Sequence, residues 1–164
     1  MNWDAIGAIG EVVGAAGVIA TLLYLAVQIR GDARATRAAT MHGQSNAYRD
    51  FMQTLATDEE LSAIYLRGIR DFGSLEEAEL VRFTSALGVL FRVFDEAFFQ
   101  WSEGNIDPQV WHGFESPMAD VLAYPGVRDW WSTRSHWYST PFREFIDAKA
   151  TAAGSPAMYG ESGA

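Results

Sequence analysis

Glu11 is the residue whose chemical type and surroundings agree least. It sits in the apolar run AIGAIGEVVGAAGVIATLLYLAV, residues 5–27, as the only charge. An ionised carboxylate in hydrocarbon costs a few kcal/mol, so it should face protein or water, or take up a proton. Two readings follow from that cost. Glu11 either handles an ion or recognises a partner, or it snorkels to the headgroups from about 10 Å inside the helix start at roughly 1.5 Å per residue. Beside it, Gly7, Gly10, Gly14 and Gly17 recur at spacings of three, four and three, which places them on one stripe of a helix. Gly10 and Gly14 form a GxxxG pair, and Thr21 and Gln28 extend the stripe with polar groups. Small residues in this pattern let two helix backbones approach closely in lipid. The plainer reading is that glycine is common in membrane helices.

Elsewhere the chemistry-bearing residues do not assemble into a motif. His42, His112 and His136 are scattered, and no Glu-x-x-His pair exists to build a carboxylate-bridged metal site in a bundle. No metal and no cofactor are expected. Asp95, Glu96 and Glu103 lie nearest an aromatic stripe, but Arg92 precedes Glu96 by four residues, which predicts a helix-surface ion pair. Trp101, Trp111, Trp130, Trp131 and Trp137 read as core packing. In the competing reading Trp130, Trp131 and Trp137 rest at a membrane interface. The chain has no cysteine, which excludes disulfides, thiolate metal sites and a cysteine nucleophile. A formal charge of -9 argues against a nucleic-acid partner, which would want a basic face toward phosphate. No glycine-rich phosphate loop follows a strand, so nucleotide chemistry is not indicated. No catalytic residue is assigned, and the chain is not expected to be an enzyme.

The apolar run is about 23 residues, long enough for a hydrocarbon core of roughly 30 Å. It therefore reads as a transmembrane helix, not a cleaved signal peptide, since Trp3 and Asp4 precede it and Val27-Gln28-Ile29-Arg30 ends it. Arg30, Arg34 and Arg37 follow the run, whereas Asp4 is the only charge before it. The positive-inside rule then puts the N-terminus outside and the C-terminal domain in the cytoplasm. Trp3 and Tyr24 flank the span as interfacial aromatics.

Behind the span, the alanine-rich segment 31–55 predicts a continuation of the first helix. Thr57-Asp58-Glu59-Glu60 supplies a cap and an acidic first turn for a helix through Asp71, which Gly73 ends. Ser74-Leu75-Glu76-Glu77 reads as a capping box opening a third helix to about Ser102. Within it Leu80, Phe83, Leu87, Leu90, Phe91, Phe94, Phe98 and Trp101 recur at three and four, the spacing of a core-facing stripe. Asp107-Pro108 opens a helix to about Tyr124. Pro125-Gly126 reads as a break before two short helices, 127–137 and 141–150. The fold class expected is all-α. Residues 1–30 are read as a transmembrane anchor, 31–152 as a small cytoplasmic helical bundle, and 153–164 as a flexible tail.

The segments NWDAIGAIGEVVGAAGVIATLLYLAVQIR, LFRVFDEAFFQWSEGNID with Trp111 soon after, PGVRDWW and FREF resemble a family of small bacterial proteins. Members of that family pair an N-terminal membrane helix with a helical domain. The resemblance covers most of the chain apart from its tail. It implies bacterial inner-membrane localisation and transfers no activity or site residue. Together these features predict a single-pass, membrane-anchored interaction module, either a homo-oligomer or an accessory subunit. Its partners would be other membrane helices and lipid. An alternative is a small oligomeric channel or proton-handling protein using Glu11. A membrane-tethered enzyme is the third reading.

Overall fold

The computed structural model describes the backbone of residues 3–152, 154 and 159, and the side chains of these except 3–13, 15, 16, 30 and 33–42. Every regular element among them is helical: α1 (Trp3–Thr57), α2 (Glu59–Arg70), α3 (Glu77–Ser102), α4 (Pro108–Leu122), α5 (Pro125–Arg134) and α6 (Thr140–Ala152), with short 3-10 turns at Phe72–Ser74 and Ser135–Trp137. The all-α expectation is met. The chain divides into two compact units, Met1–Thr40 and Met41–Ala164.

In the first unit, the described apolar side chains are exposed, among them Val18, Ile19, Leu22, Leu23, Val27 and Ile29. The Thr21 hydroxyl donates to the Gly17 carbonyl at 2.9 Å, satisfying its polar group within its own helix. A Cβ at Gly14 or Gly17 would meet nothing within 4 Å, and Tyr24 is exposed. Among the described residues no helix is long and apolar enough to cross a membrane. The described stretch, 17–29, is shorter than the roughly 20 residues a span needs. Gly7, Gly10, Glu11, Trp3, Arg30, Arg34, Arg37 and His42 lie outside the described side chains.

The second unit folds around α3. Phe83, Leu87, Leu90, Phe91, Phe94 and Phe98 are buried along one stripe, with Leu80 and Trp101 half-buried at its ends. Phe91 gathers the partners: its ring lies 5.0 Å from Trp130, 5.3 Å from Trp131 and 6.3 Å from Tyr138. Trp130 and Trp131 are thus core residues, which corrects the membrane-interface reading for both. Only Trp137 of that trio is exposed. Phe98 closes the other end against Trp111, Phe142 and Phe145.

The caps explain where the helices start. Asp58 accepts the Leu61 N–H at 2.9 Å and opens α2, and Asp107 accepts the Gln109 N–H at 2.8 Å and opens α4 behind Pro108. The third helix starts two residues later than its Ser74 signature suggests. Ser74 instead closes the 3-10 turn by bonding to Asp71, and Glu76 caps α3, with the Glu79 carboxylate accepting the Glu76 N–H at 3.2 Å. Pro125-Gly126 is likewise not a break but the first turn of α5, where proline's missing N–H is harmless.

Gly126 also sets a close helix crossing. A Cβ on Gly126 would lie 2.0 Å from the Gly68 carbonyl oxygen, and a Cβ on Gly68 would lie 2.5 Å from the buried Phe83 ring. Backbone meets backbone where α5 crosses α2, so only glycine fits. Gly126→Ala should therefore destabilise the unit by about 3 kcal/mol, at the upper end of overpacking costs. The denaturation midpoint of the helical signal measures this, and a midpoint equal to wild type would show that the crossing relaxes freely.

Candidate functional site

The face of α3 opposite its aromatic stripe is not covered. Val81, Ser85 and Val89 follow at four-residue spacing and so share one line of the helix. Val81 is 63% exposed and Val89 54%. Across from them, the last turns of α1 present Ala47, Asp50 and Thr54. Along this face lie two hollows of about 540 and 520 Å³, the first walled by α1, α2 and α3 and the second mainly by α3, Trp137 and Tyr138; they share Ala47, Ser85 and Val89 and so run into one groove. Trp137, 45% exposed, closes the end away from Val81.

Charges sit on the rim and are largely engaged within the fold. Arg82 pairs with Glu60 of α2 at 2.6 Å. Arg92 pairs with Asp95 at 3.2 Å, donates to the Trp137 carbonyl at 3.2 Å and lies 4.9 Å above the Tyr138 ring. The expected partner of Arg92 was Glu96, one residue further along, and the correction has a geometric cause. Asp95 faces inward and is buried, with its second oxygen accepting from the Ser139 hydroxyl at 3.0 Å, whereas Glu96 points to solvent. Asp95 thereby ties the start of α6 to α3.

Tyr138 completes the wall, its hydroxyl donating to the Gly88 carbonyl at 3.3 Å. Burial pushes its phenol up to about 12, against a lowering by Arg92 and a smaller raising by Asp95. Thr84 lines the same end of the groove, and its buried hydroxyl has no hydrogen-bond partner among the described residues. Asp58, on the opposite wall, is used as the α2 cap. No acid, base and nucleophile converge here. The arrangement is suited to packing an apolar surface between charged edges.

Of the other residues singled out in the sequence, His112 is exposed and lies 3.6 Å from Glu115 on its own helix. His136 is exposed beside Trp137. Among the described residues no three His, Asp or Glu side chains cluster as a metal site would require. Val81, Ser85 and Val89 were not singled out. Their signal was a second apolar line on α3, four residues apart and off the aromatic stripe. No family model, curated protein or solved structure matches this chain, so the family resemblance rests on the segments quoted for it.

The Tyr138 environment gives a pH dependence with a defined sign. The fold disfavours the phenolate, so the folded value lies above the ordinary 10.0. Stability from this group is fully present below pH 10.0 and is lost as pH rises through about 12. Thermal midpoints should thus fall steeply on the alkaline side, and Tyr138→Phe should make that decline shallower while lowering stability at neutral pH by about 1 kcal/mol through the lost hydrogen bond. Parallel alkaline slopes for the two proteins would remove Tyr138 as a cause.

Proposed function

We propose that this chain is a membrane-anchored helical interaction module, whose groove between α1 and α3 receives the apolar face of a partner helix. The observation carrying this reading is the groove itself. Val81 and Val89 stay exposed although the same helix buries six large side chains on its other face, and Trp137 beside them is exposed as well. An amphipathic helix set into an apolar groove is a recurrent recognition mode, and small lining residues such as Ala47, Ser85 and Gly88 allow close approach.

The anchor is supported by the sequence of residues 5–27 and by the exposure of the described part of that run. Side chains such as Leu22, Leu23 and Val27 carry apolar area that water would penalise and lipid would not. The glycine stripe Gly7, Gly10, Gly14, Gly17 would then pack on another membrane helix, and Arg30, Arg34 and Arg37 would keep the second unit in the bacterial cytoplasm. Self-association or service as an accessory subunit both use these surfaces.

A photocrosslinking side chain at Ser85, in the full chain in native bacterial membranes, should yield adducts of discrete mass. Val81→Asp with Val89→Asp should abolish them without altering the melting temperature, since both positions are exposed. Unchanged adducts in the double variant would sink the groove. A chain that carbonate washing releases from the membrane would sink the anchor.

A further inference from the structure

The groove along α3 has a charge pattern that narrows what can fill it. Both arginines that line it are spent inside the fold: Arg82 pairs with Glu60 at 2.6 Å, and Arg92 pairs with Asp95 at 3.2 Å. Two of its carboxylates have no such partner. Asp50 and Glu96 are exposed and line the two hollows, and among the described residues neither meets a basic side chain within ion-pair distance. Asp58 adds a third carboxylate. One of its oxygens accepts the Leu61 N–H, and Arg82, the cation in the same hollow, already holds Glu60.

These three carboxylates are spread along the groove. Asp58 shares the first hollow with Val81, and Glu96 shares the second with Trp137. Asp50 lies on α1 between Asp58 and Ala47, the α1 residue common to both hollows. Val81 to Glu96 spans about 22 Å of α3 at the helical rise per residue. A partner helix of about four turns covers that length. Its apolar face would cover Val81 and Val89 but leave the carboxylates at its edges without a counter-charge. A basic residue at each end answers Asp58 and Glu96, and one on the flank answers Asp50. A second copy of this chain suits the rim poorly. It carries a net charge of -9, and in the membrane-anchored reading its basic cluster of Arg30, Arg34 and Arg37 is held at the headgroups.

We propose that the occupant of this groove is a helix of a different protein, about four turns long, whose apolar face is bordered at both ends by lysine or arginine. This rests on the groove being a docking site and adds the sign of the charge its partner must carry. Exposed pairs of this kind each add little affinity, but together they steer the encounter and reject a helix with acidic flanks.

The probes are three fluorescent helical peptides that share one leucine face and carry lysine, glutamine or glutamate at both ends. Anisotropy titrations into the full chain in neutral detergent micelles should show the lysine peptide binding about tenfold tighter than the glutamine peptide, with the glutamate peptide weaker still. Raising the salt from about 0.05 to about 0.5 M should erase that order. Asp50→Asn with Glu96→Gln should weaken the lysine peptide at least about threefold and leave the glutamine peptide unchanged. The control, Asp129→Asn with Glu144→Gln, removes as much charge from exposed sites off the groove and should change neither. Val81→Asn with Val89→Asn, which removes the apolar line without altering charge, should weaken both. Lysine and glutamine peptides that bind equally, and are both lost in the valine variant, would overturn the charge proposal and leave the groove standing. Failure of every peptide to bind, or binding that survives the valine variant, would remove the groove and the proposal with it. A chain that dimerises on its own and is split by the valine variant would make a second copy the occupant and overturn the proposal.

Discussion

Burial of one aromatic stripe on α3 organises the second unit. Six large side chains on one face of a single helix remove enough apolar surface from water to drive association of whatever covers them, at about 25 cal/mol per Å². Helices α2, α4, α5 and α6 meet this stripe at three places along it. Tyr65 of α2 touches Phe83, Trp130 and Trp131 of α5 touch Phe91, and Trp111 of α4 and Phe142 of α6 touch Phe98. Rings as broad as these tolerate several crossing angles, so the stripe drives collapse but does not specify one arrangement.

Specificity enters through contacts that admit few alternatives. At Gly126 the α5 backbone approaches that of α2 at Gly68 and Ile69 too closely for any side chain, which fixes where along their lengths they cross. The bond from Ser139 to the buried Asp95 carboxylate fixes where α6 begins against α3. Leaving that carboxylate buried without its partners would be expensive, so the register of the two elements is strongly held.

The stripe and the helix starts at Asp58 and Asp107 were legible because they depend on local spacing and on side chains reaching neighbouring N–H groups. The start of α3 was misplaced because serine and glutamate offer equivalent capping patterns two residues apart, and the choice between them is made by the preceding 3-10 turn. Pro125-Gly126 reads as a turn in one dimension, and only the crossing with Gly68 reveals why glycine is there. The Arg92 pairing was misassigned for a similar reason: spacing of three and four both bring charges together, and burial of Asp95 decides between them. The groove escaped notice because Val81 and Val89 are unremarkable singly. A line of exposed valines acquires meaning only once the opposite wall, the end of α1, is in place.

That wall is fixed by the core behind it. In its last turns α1 directs Phe51 into the core, Ala47, Asp50 and Thr54 toward the groove, and Met52 and Ala56 toward α2. Phe51 packs edge-on against Tyr65 at 6.2 Å, and Tyr48 of the same helix meets Phe94 at 6.3 Å. Close packing makes such a chain of contacts stiff, so the end of α1 cannot turn about its axis without disturbing the aromatic core it is seated on.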